Sequence, residues 1–401
     1  MIVMGGIIGS GIFMNPHVVA EAVHSRAAIL GAWAVGGLIA LAGAFIYAEL
    51  AALRPQVGGQ YAYIREALHP MLAFMYGWTL LLVVQTGGMA AVAVTFARYF
   101  IELSQTTMND RLLAAIALAV LTAVNCFGVR AGGTLQSVLM VLKIAAIVAL
   151  IGFGLSTSNH VVSSGSSPGA DRSAELTAFG AALVPVLFAY GGWQTANFIA
   201  GEIREPKKNL PRALVLGVIG VVLLYLAVNY VCVNVLGVDE LAATKTPASE
   251  VMRLALGEKG SRLIAAGIAV STLGFLSQGM LTAPRVYFAM ASDGLFFKRV
   301  AWLHPRTRVP VVAIVAQGSL AIVIALAGKY EQILNYVVSI DSIFFGVSAA
   351  CLFALRKSSA ATDGPMKNGL KVNAVVIVLF IAAEWLVAAS AIYKDPRNSA
   401  I

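Results

Sequence analysis

The chain has 401 residues, 59% of them hydrophobic and 12% charged, with a mean hydropathy of +0.84. Soluble domains run nearer half apolar and a quarter charged, so a soluble globular protein is excluded. The net charge of +9 does not point to a nucleic-acid partner, because most basic residues sit in short segments between apolar blocks, where they orient a chain against a bilayer.

The apolar blocks, about 20 to 28 residues long, match a hydrocarbon layer of roughly 30 Å. They predict an all-α polytopic membrane protein with eleven spans, near 1–20, 28–53, 70–102, 112–128, 132–156, 176–201, 211–236, 261–290, 310–328, 332–355 and 371–392. Breakers lie between them: Arg54-Pro55 with Gly58-Gly59, a Ser/Gly-rich surface loop over 156–172, and Glu205-Pro206-Lys207-Lys208. Sixteen basic residues fall on one side and eleven on the other, which sets the N-terminus in the cytoplasm of a multi-pass protein of the cytoplasmic (inner) membrane. The first block has glycines in its middle and is read as a span rather than a cleavable signal. Its short start and the odd number of spans lead us to expect a missing leader and a missing twelfth helix. Cys126, Cys232 and Cys351 lie inside apolar blocks and are expected as buried thiols, not as disulfides or metal ligands.

Span 1 is interrupted at Gly9-Ser10-Gly11 and span 6 at Tyr190-Gly191-Gly192, 181 residues later. Five spans separate the two breaks, so the second set enters the membrane from the opposite side. Glycine-interrupted helices at corresponding places in two halves point to an inverted-repeat transporter with a midplane site. The division expected is 1–156 for the first repeat, 157–175 for an outer loop, 176–356 for the second repeat and 357–401 for span 11 and the C-terminal end.

Gly5-Gly6-Ile7-Ile8-Gly9-Ser10-Gly11-Ile12-Phe13 has four glycines in nine residues. Unwinding there would expose amide N–H groups and the positive end of a second half-helix, which suit a carboxylate. Close helix packing through small residues is the competing explanation. In Phe188-Ala189-Tyr190-Gly191-Gly192-Trp193-Gln194 a half-helix ends, leaving carbonyls that suit an ammonium group. Tyr190 and Trp193 offer aromatic walls or simple packing. A donor cluster and an acceptor cluster together match the two ends of an α-amino acid.

Lys143 sits at mid-depth in span 5, where a cation costs on the order of 3 kcal/mol and needs a partner inside the bundle. It is expected to hold span 1 against its neighbours, or to switch with a proton. Asp341 in span 10 is a candidate relay or a local acceptor, and Glu384 in span 11 is expected beside the missing helix. Glu49 and Glu202, near span ends, are expected to pair with loop arginines. Gln85, Tyr230 and Ser277-Gln278 are candidate pocket residues. With no acid recognised near either break, the substrate side chain is read as neutral.

These residues resemble the amino acid–polyamine–organocation (APC) superfamily, and within it the L-type amino-acid exchangers and their bacterial relatives. The elements are Gly6-Ile7-Ile8-Gly9-Ser10-Gly11-Ile12-Phe13, Tyr47-Ala48-Glu49-Leu50, Pro55-Gln56-Val57-Gly58-Gly59-Gln60-Tyr61, Phe188-Ala189-Tyr190-Gly191-Gly192-Trp193, Pro206-Lys207-Lys208-Asn209-Leu210-Pro211 and Asp293-Gly294-Leu295. The resemblance implies a five-plus-five inverted-repeat (LeuT-type) fold and alternating access. It implies that Gly9, Ser10 and Gly11 bind the carboxylate, while Ile7 and the backbone around Phe188 and Ala189 bind the amino group. Lys143 matches a lysine that occupies the sodium-site region in sodium-independent members, Tyr230 a tyrosine near it, and Gln85 a pocket residue. The loop from Glu102 to Arg111 lacks the cysteine by which animal L-type exchangers link an ancillary subunit, so no disulfide-linked partner is expected.

The expected activity is therefore secondary transport of neutral L-amino acids, by sodium-independent exchange or proton-coupled uptake. Ile7, Ile8, Gly9, Ser10, Gly11, Gln85, Phe188, Ala189, Tyr190, Gly191, Gly192 and Trp193 are expected at the substrate, with Lys143, Tyr230 and Asp341 coupling or gating. A carrier of cationic amino acids or polyamines on the same fold, a channel, and a receptor that binds without moving its ligand are the alternatives. A membrane enzyme is disfavoured, since the five histidines lie at span ends or in loops. The partners expected are a small amino acid and the bilayer; no cofactor or metal is expected, and homodimerisation stays open.

Overall fold

The computed structural model describes residues 2–127, 132–157, 172–328, 330–362 and 371–394. The Ser/Gly-rich loop and the last residues of the chain lie outside them. Every regular element among the described residues is helical. In chain order they are α1 (Ile2–Ile7), α2 (Gly11–Val23), α3 (Arg26–Leu53), α4 (Gln60–Ala67), α5 (Pro70–Thr79), α6 (Gln85–Ser104), α7 (Asp110–Cys126) and α8 (Gly132–Thr157). Then come α9 (Arg172–Tyr190), α10 (Thr195–Phe198), α11 (Pro206–Ala243), α12 (Pro247–Thr282), α13 (Pro284–Ser292), α14 (Val311–Ala327), α15 (Tyr330–Thr362) and α16 (Ala374–Lys394).

The starts follow local chemistry. Proline opens α5, α11, α12 and α13, where its missing N–H costs nothing. The Asn109 side chain caps α7 by accepting from Arg111 N. Gly237 and Gly257, both at positive φ, kink α11 and α12 near the ends of their apolar stretches. The segment 237–260 between spans 7 and 8 is therefore largely helical.

Among the described residues helix lies over each apolar block of the sequence, and seven helical stretches there are long and apolar enough to cross a membrane. Among the rest, Glu175–Tyr190 and Val311–Ala327 are shorter apolar helices. Leu38, Leu216, Leu223, Leu263, Leu379 and Leu386 stand exposed on the outside of the bundle. Such a surface belongs against lipid, where nothing but helices or closed barrels can satisfy the backbone. The chain is thus a multi-pass membrane protein.

Three packings position the site. α2 lies along α9, α11 runs against α3 and both halves of the first span, and α12 packs on α6 and α8. Between α5 and α6 the helix widens to a π turn over Leu80–Val84. The Thr86 hydroxyl donates to Leu81 O at 2.8 Å within it. Such bulges recur at functional sites, and this one sits immediately before Gln85.

The two expected carboxylate pairings form. Glu49, almost fully buried, accepts from Arg356 Nε at 2.7 Å and Nη2 at 2.6 Å and from Val372 N at 2.7 Å. Glu202 accepts from Arg285 Nε at 3.1 Å.

Candidate functional site

The first break lies between α1 and α2. Ile8, Gly9 and Ser10 join the two helices, with Gly9 N donating to Ile7 O at 2.8 Å in a tight turn. Ser10 precedes α2 but its hydroxyl caps nothing; Oγ is buried and has no hydrogen-bond partner among the described residues. Phe13 N and Met14 N donate to Ser10 O at 3.0 and 3.2 Å, whereas the N–H groups of Gly11 and Ile12 come before any intrahelical acceptor.

The second break follows α9. Gly191 N donates to Leu187 O at 2.8 Å, closing the helix. Gly192 then takes φ +100°, a conformation suited to glycine, and its N–H donates to Gln194 Oε1 at 2.9 Å. The Thr195 hydroxyl donates to Gly192 O at 2.7 Å. Phe188 O also receives Gly191 N at 3.3 Å, and the carbonyls that follow it at the end of α9 lie beyond the last intrahelical donors.

The two breaks face each other at backbone contact. A Cβ at Gly192 would lie 2.1 Å from Gly6 O, and one at Gly11 would lie 2.5 Å from Ala189 Cα. Asn15 Nδ2 also donates to Pro185 O at 2.5 Å, joining α2 to α9. Close packing and helix interruption, competing explanations of the glycines in the sequence, therefore both hold.

One cavity opens between them, about 970 Å³ counting its mouth. Ile7, Gly9, Ser10, Gly11, Gln85, Phe188, Ala189, Tyr190, Gly191, Gly192, Trp193 and Asp341 all line it. Tyr190 packs against Tyr225 and Trp33, with ring centroids at 5.1 and 5.7 Å, and its hydroxyl donates to Trp33 O at 3.1 Å. Trp193 stacks on Phe345 at 5.2 Å and meets Tyr47 edge-on at 4.7 Å. Both aromatic walls are thus held rigidly from behind.

Three expected residues fall elsewhere. Ile8 is wholly buried off the cavity, and its carbonyl accepts from Lys143 Nζ. Lys143, expected to hold span 1 or to switch with a proton and not to line the pocket, is buried behind the first break. Tyr230 is a correction: it is 47% exposed on the outer face of α11. The tyrosine that reaches the break is Tyr225, whose hydroxyl donates to Ile7 O at 3.2 Å. Five helical residues separate the two, a turn of about 140° that puts them on different faces. The Ile7 carbonyl, expected at the amino group, already receives Gly9 N–H and Tyr225 O–H.

The absence of an acid near the breaks is also overturned. Asp341 on α15 accepts from Gln194 Nε2 at 3.4 Å, one side chain away from Gly192. Glu384 on α16, expected beside a further helix, lines the same cavity. Each lies far in sequence from both breaks, so adjacency along the chain could not reveal them; their mid-span depth was the available signal. Gln194, Thr195, Phe275 and Gln278 complete the polar and aromatic lining.

Residues 1–398 match the family model described as "Amino acid permease". The chain is 29% identical over 402 residues to the serine/threonine exchanger SteT of Bacillus subtilis (strain 168), covering 99% of this chain and 90% of that one. It is 30% identical over 394 residues to the human large neutral amino acids transporter small subunit 2, covering 95% and 72%. Against the mouse b(0,+)-type amino acid transporter 1 it is 29% identical over 390 residues, covering 94% and 79%. All three are transporters, not enzymes. A broken-helix cavity in a multi-pass helical bundle and a match over nearly the whole length agree, and the chain belongs to the amino acid permease family of the APC superfamily.

Proposed function

We propose that this permease moves L-amino acids by alternating access on a five-plus-five inverted-repeat (LeuT-type) scaffold. The repeats are 1–156 and 176–356, joined by an outer loop over 157–175 and followed by span 11 in 357–401. The N-terminus faces the cytoplasm of the cell membrane.

One observation carries the reading: a buried Ser10 hydroxyl with no hydrogen-bond partner among the described residues and the start of α2 line one cavity with the end of α9. The substrate carboxylate takes the donors at Gly9, Ser10 and Gly11. Its ammonium takes the carbonyls of Ala189 and Tyr190, with Phe188 O, which also receives Gly191 N at 3.3 Å, beside them; the Ile7 and Ile8 carbonyls are occupied. Each end then meets groups that the fold leaves unsatisfied, which is how a dry site gains affinity without distorting itself. Tyr190, Trp193, Phe275 and Gln85 surround the side chain. Neutral amino acids fit that wall, in keeping with relatives named for serine, threonine and large neutral amino acids.

Transport is sodium-independent. Lys143 puts an ammonium on the Ile8 carbonyl, filling with a fixed charge a place where a bound cation could hold the break. Flux proceeds by exchange or by proton coupling, and the carrier works without a disulfide-linked partner.

Uptake of radiolabelled neutral amino acids into proteoliposomes, in sodium-free buffer, tests this. Uptake confined to preloaded vesicles marks an exchanger. Uptake into empty vesicles under an inward proton gradient marks a symporter. Saturable binding with no flux in either case would make the protein a receptor and overturn the proposal.

A further inference from the structure

Glu384 is 3% exposed, lines the cavity, and its Oε2 has no hydrogen-bond partner among the described residues. Ser342 hydrogen-bonds to the same side chain, and Asp341 is near enough to interact with it electrostatically. Asp341 and Ser342 come from α15, Glu384 from α16, so two helices bring two carboxyl groups to one wall. No lysine, arginine or histidine among the described residues forms an ion pair with either. Among the described residues the other glutamate buried as deeply, Glu49, is matched, by Arg356 and a backbone amide.

An unpaired acid pair at this depth is costly unless a cation or a proton meets it. Its location decides which. Gln194 ties Asp341 to Gly192 in the second break, so the acids lie one side chain beyond the groups assigned to the substrate backbone. That is where the side chain of an α-amino acid held between the breaks would extend.

Resting on the site assignment above, we propose that Asp341 and Glu384 form a side-chain subsite for a substrate cation, and that the permease also carries basic amino acids. The distal ammonium of a lysine-like substrate takes the free Glu384 Oε2 and the Asp341 carboxylate, while the Gln194 amide orients Asp341. A neutral substrate of the same length leaves the pair without its cation. Trp193, stacked on Phe345 from α15, supplies an apolar wall for the methylene stem.

Lysine and norleucine differ only in the terminal ammonium, so they separate the cation from the chain length. Uptake of radiolabelled lysine and norleucine is measured in proteoliposomes of the full chain, with unlabelled competition of each against the other. Wild-type protein is expected to take up lysine as well as norleucine, and Glu384→Gln and Asp341→Asn each to reduce the lysine-to-norleucine ratio at least tenfold. The wild-type comparison needs no variant, so a misfolded mutant does not leave the matter open. Norleucine uptake with no lysine uptake overturns the subsite and leaves the site assignment standing. A lysine-to-norleucine ratio that both variants retain overturns the role of the acids. Norleucine uptake driven by a pH gradient and uncoupled by Glu384→Gln would give the pair to a proton and overturn the proposal. Failure of both amino acids to bind would overturn the site assignment itself.

Discussion

At the scale of single residues, the site is built from groups that the fold leaves unmatched and from glycines that let two breaks touch. Gly11 shows how the structure changes the reason for an expectation. Its missing Cβ faces Ala189 at 2.5 Å, so a side chain would part α2 from α9 before it reached the substrate. Overpacking of this kind costs about 1–3 kcal/mol. Gly11→Val is expected to abolish uptake while the protein still inserts; transport at the wild-type rate would remove the glycine from the site. Lys143 and Tyr225 hold the carbonyls of Ile8 and Ile7. Leaving such a buried acceptor unpaired costs about 1–3 kcal/mol. Lys143→Ala should therefore reduce uptake by an order of magnitude or more, and Tyr225→Phe by a smaller factor. Tyr230→Phe, on the exposed face, should behave as wild type. If Tyr230→Phe proved the more damaging of the two tyrosine changes in the same uptake assay, the assignment of Tyr225 would fall.

At the scale of elements, sequence motifs that lie far apart turn out to be contact partners. Gly58 and Gly59, at φ +104° and +50°, let the loop after α3 turn beneath α10, where Gly58 N donates to Phe198 O at 3.1 Å. The same loop continues into Gln60 and Tyr61. Gln60 reaches Ser348 at 3.3 Å and accepts from the Tyr76 hydroxyl at 2.8 Å. Tyr61 donates to Asp293 at 2.8 Å, and Arg65 forms an ion pair with the same carboxylate. The Glu49 carboxylate ties α3 to the end of α15 and the approach to α16. Breaking a buried pair strands the partner charge at about 3–5 kcal/mol, more than an exposed pair is worth. Glu49→Ala should lower the thermal stability of the detergent-solubilised protein well beyond Glu66→Ala, because the Glu66 carboxylate, paired with Arg54, is far more accessible than that of Glu49. Equal midpoints for the two variants in a thermal unfolding scan would show that Glu49 is not the tie.

At the scale of the molecule, the broken helices bring donors and acceptors to one cavity while the remaining helices frame it. The contact of Lys143 Nζ with the Ile8 carbonyl makes a testable demand on the whole cycle. Replacing sodium by choline is expected to leave uptake unchanged within experimental error. Strict sodium dependence in that assay would mean that the lysine does not stand in for a bound cation.

The sequence by itself determined the class, the helical content and the two interruptions. These rest on composition, block length and glycine placement, which are local or additive properties of the chain. It also led to the backbone groups at Gly9-Ser10-Gly11 and Phe188–Trp193, because a helix that must stop inside a membrane exposes its amides and carbonyls wherever it stops. Only the tertiary structure decided which side chains meet those groups. Asp341 and Glu384 approach the second break from α15 and α16, well over a hundred residues away along the chain. Tyr225 was chosen over Tyr230 by the rotation of α11 against α1 and α3. Helix phase and long-range packing are relations between elements, and an apolar span of nearly uniform hydropathy carries no strong periodic signal to mark the face that turns inward.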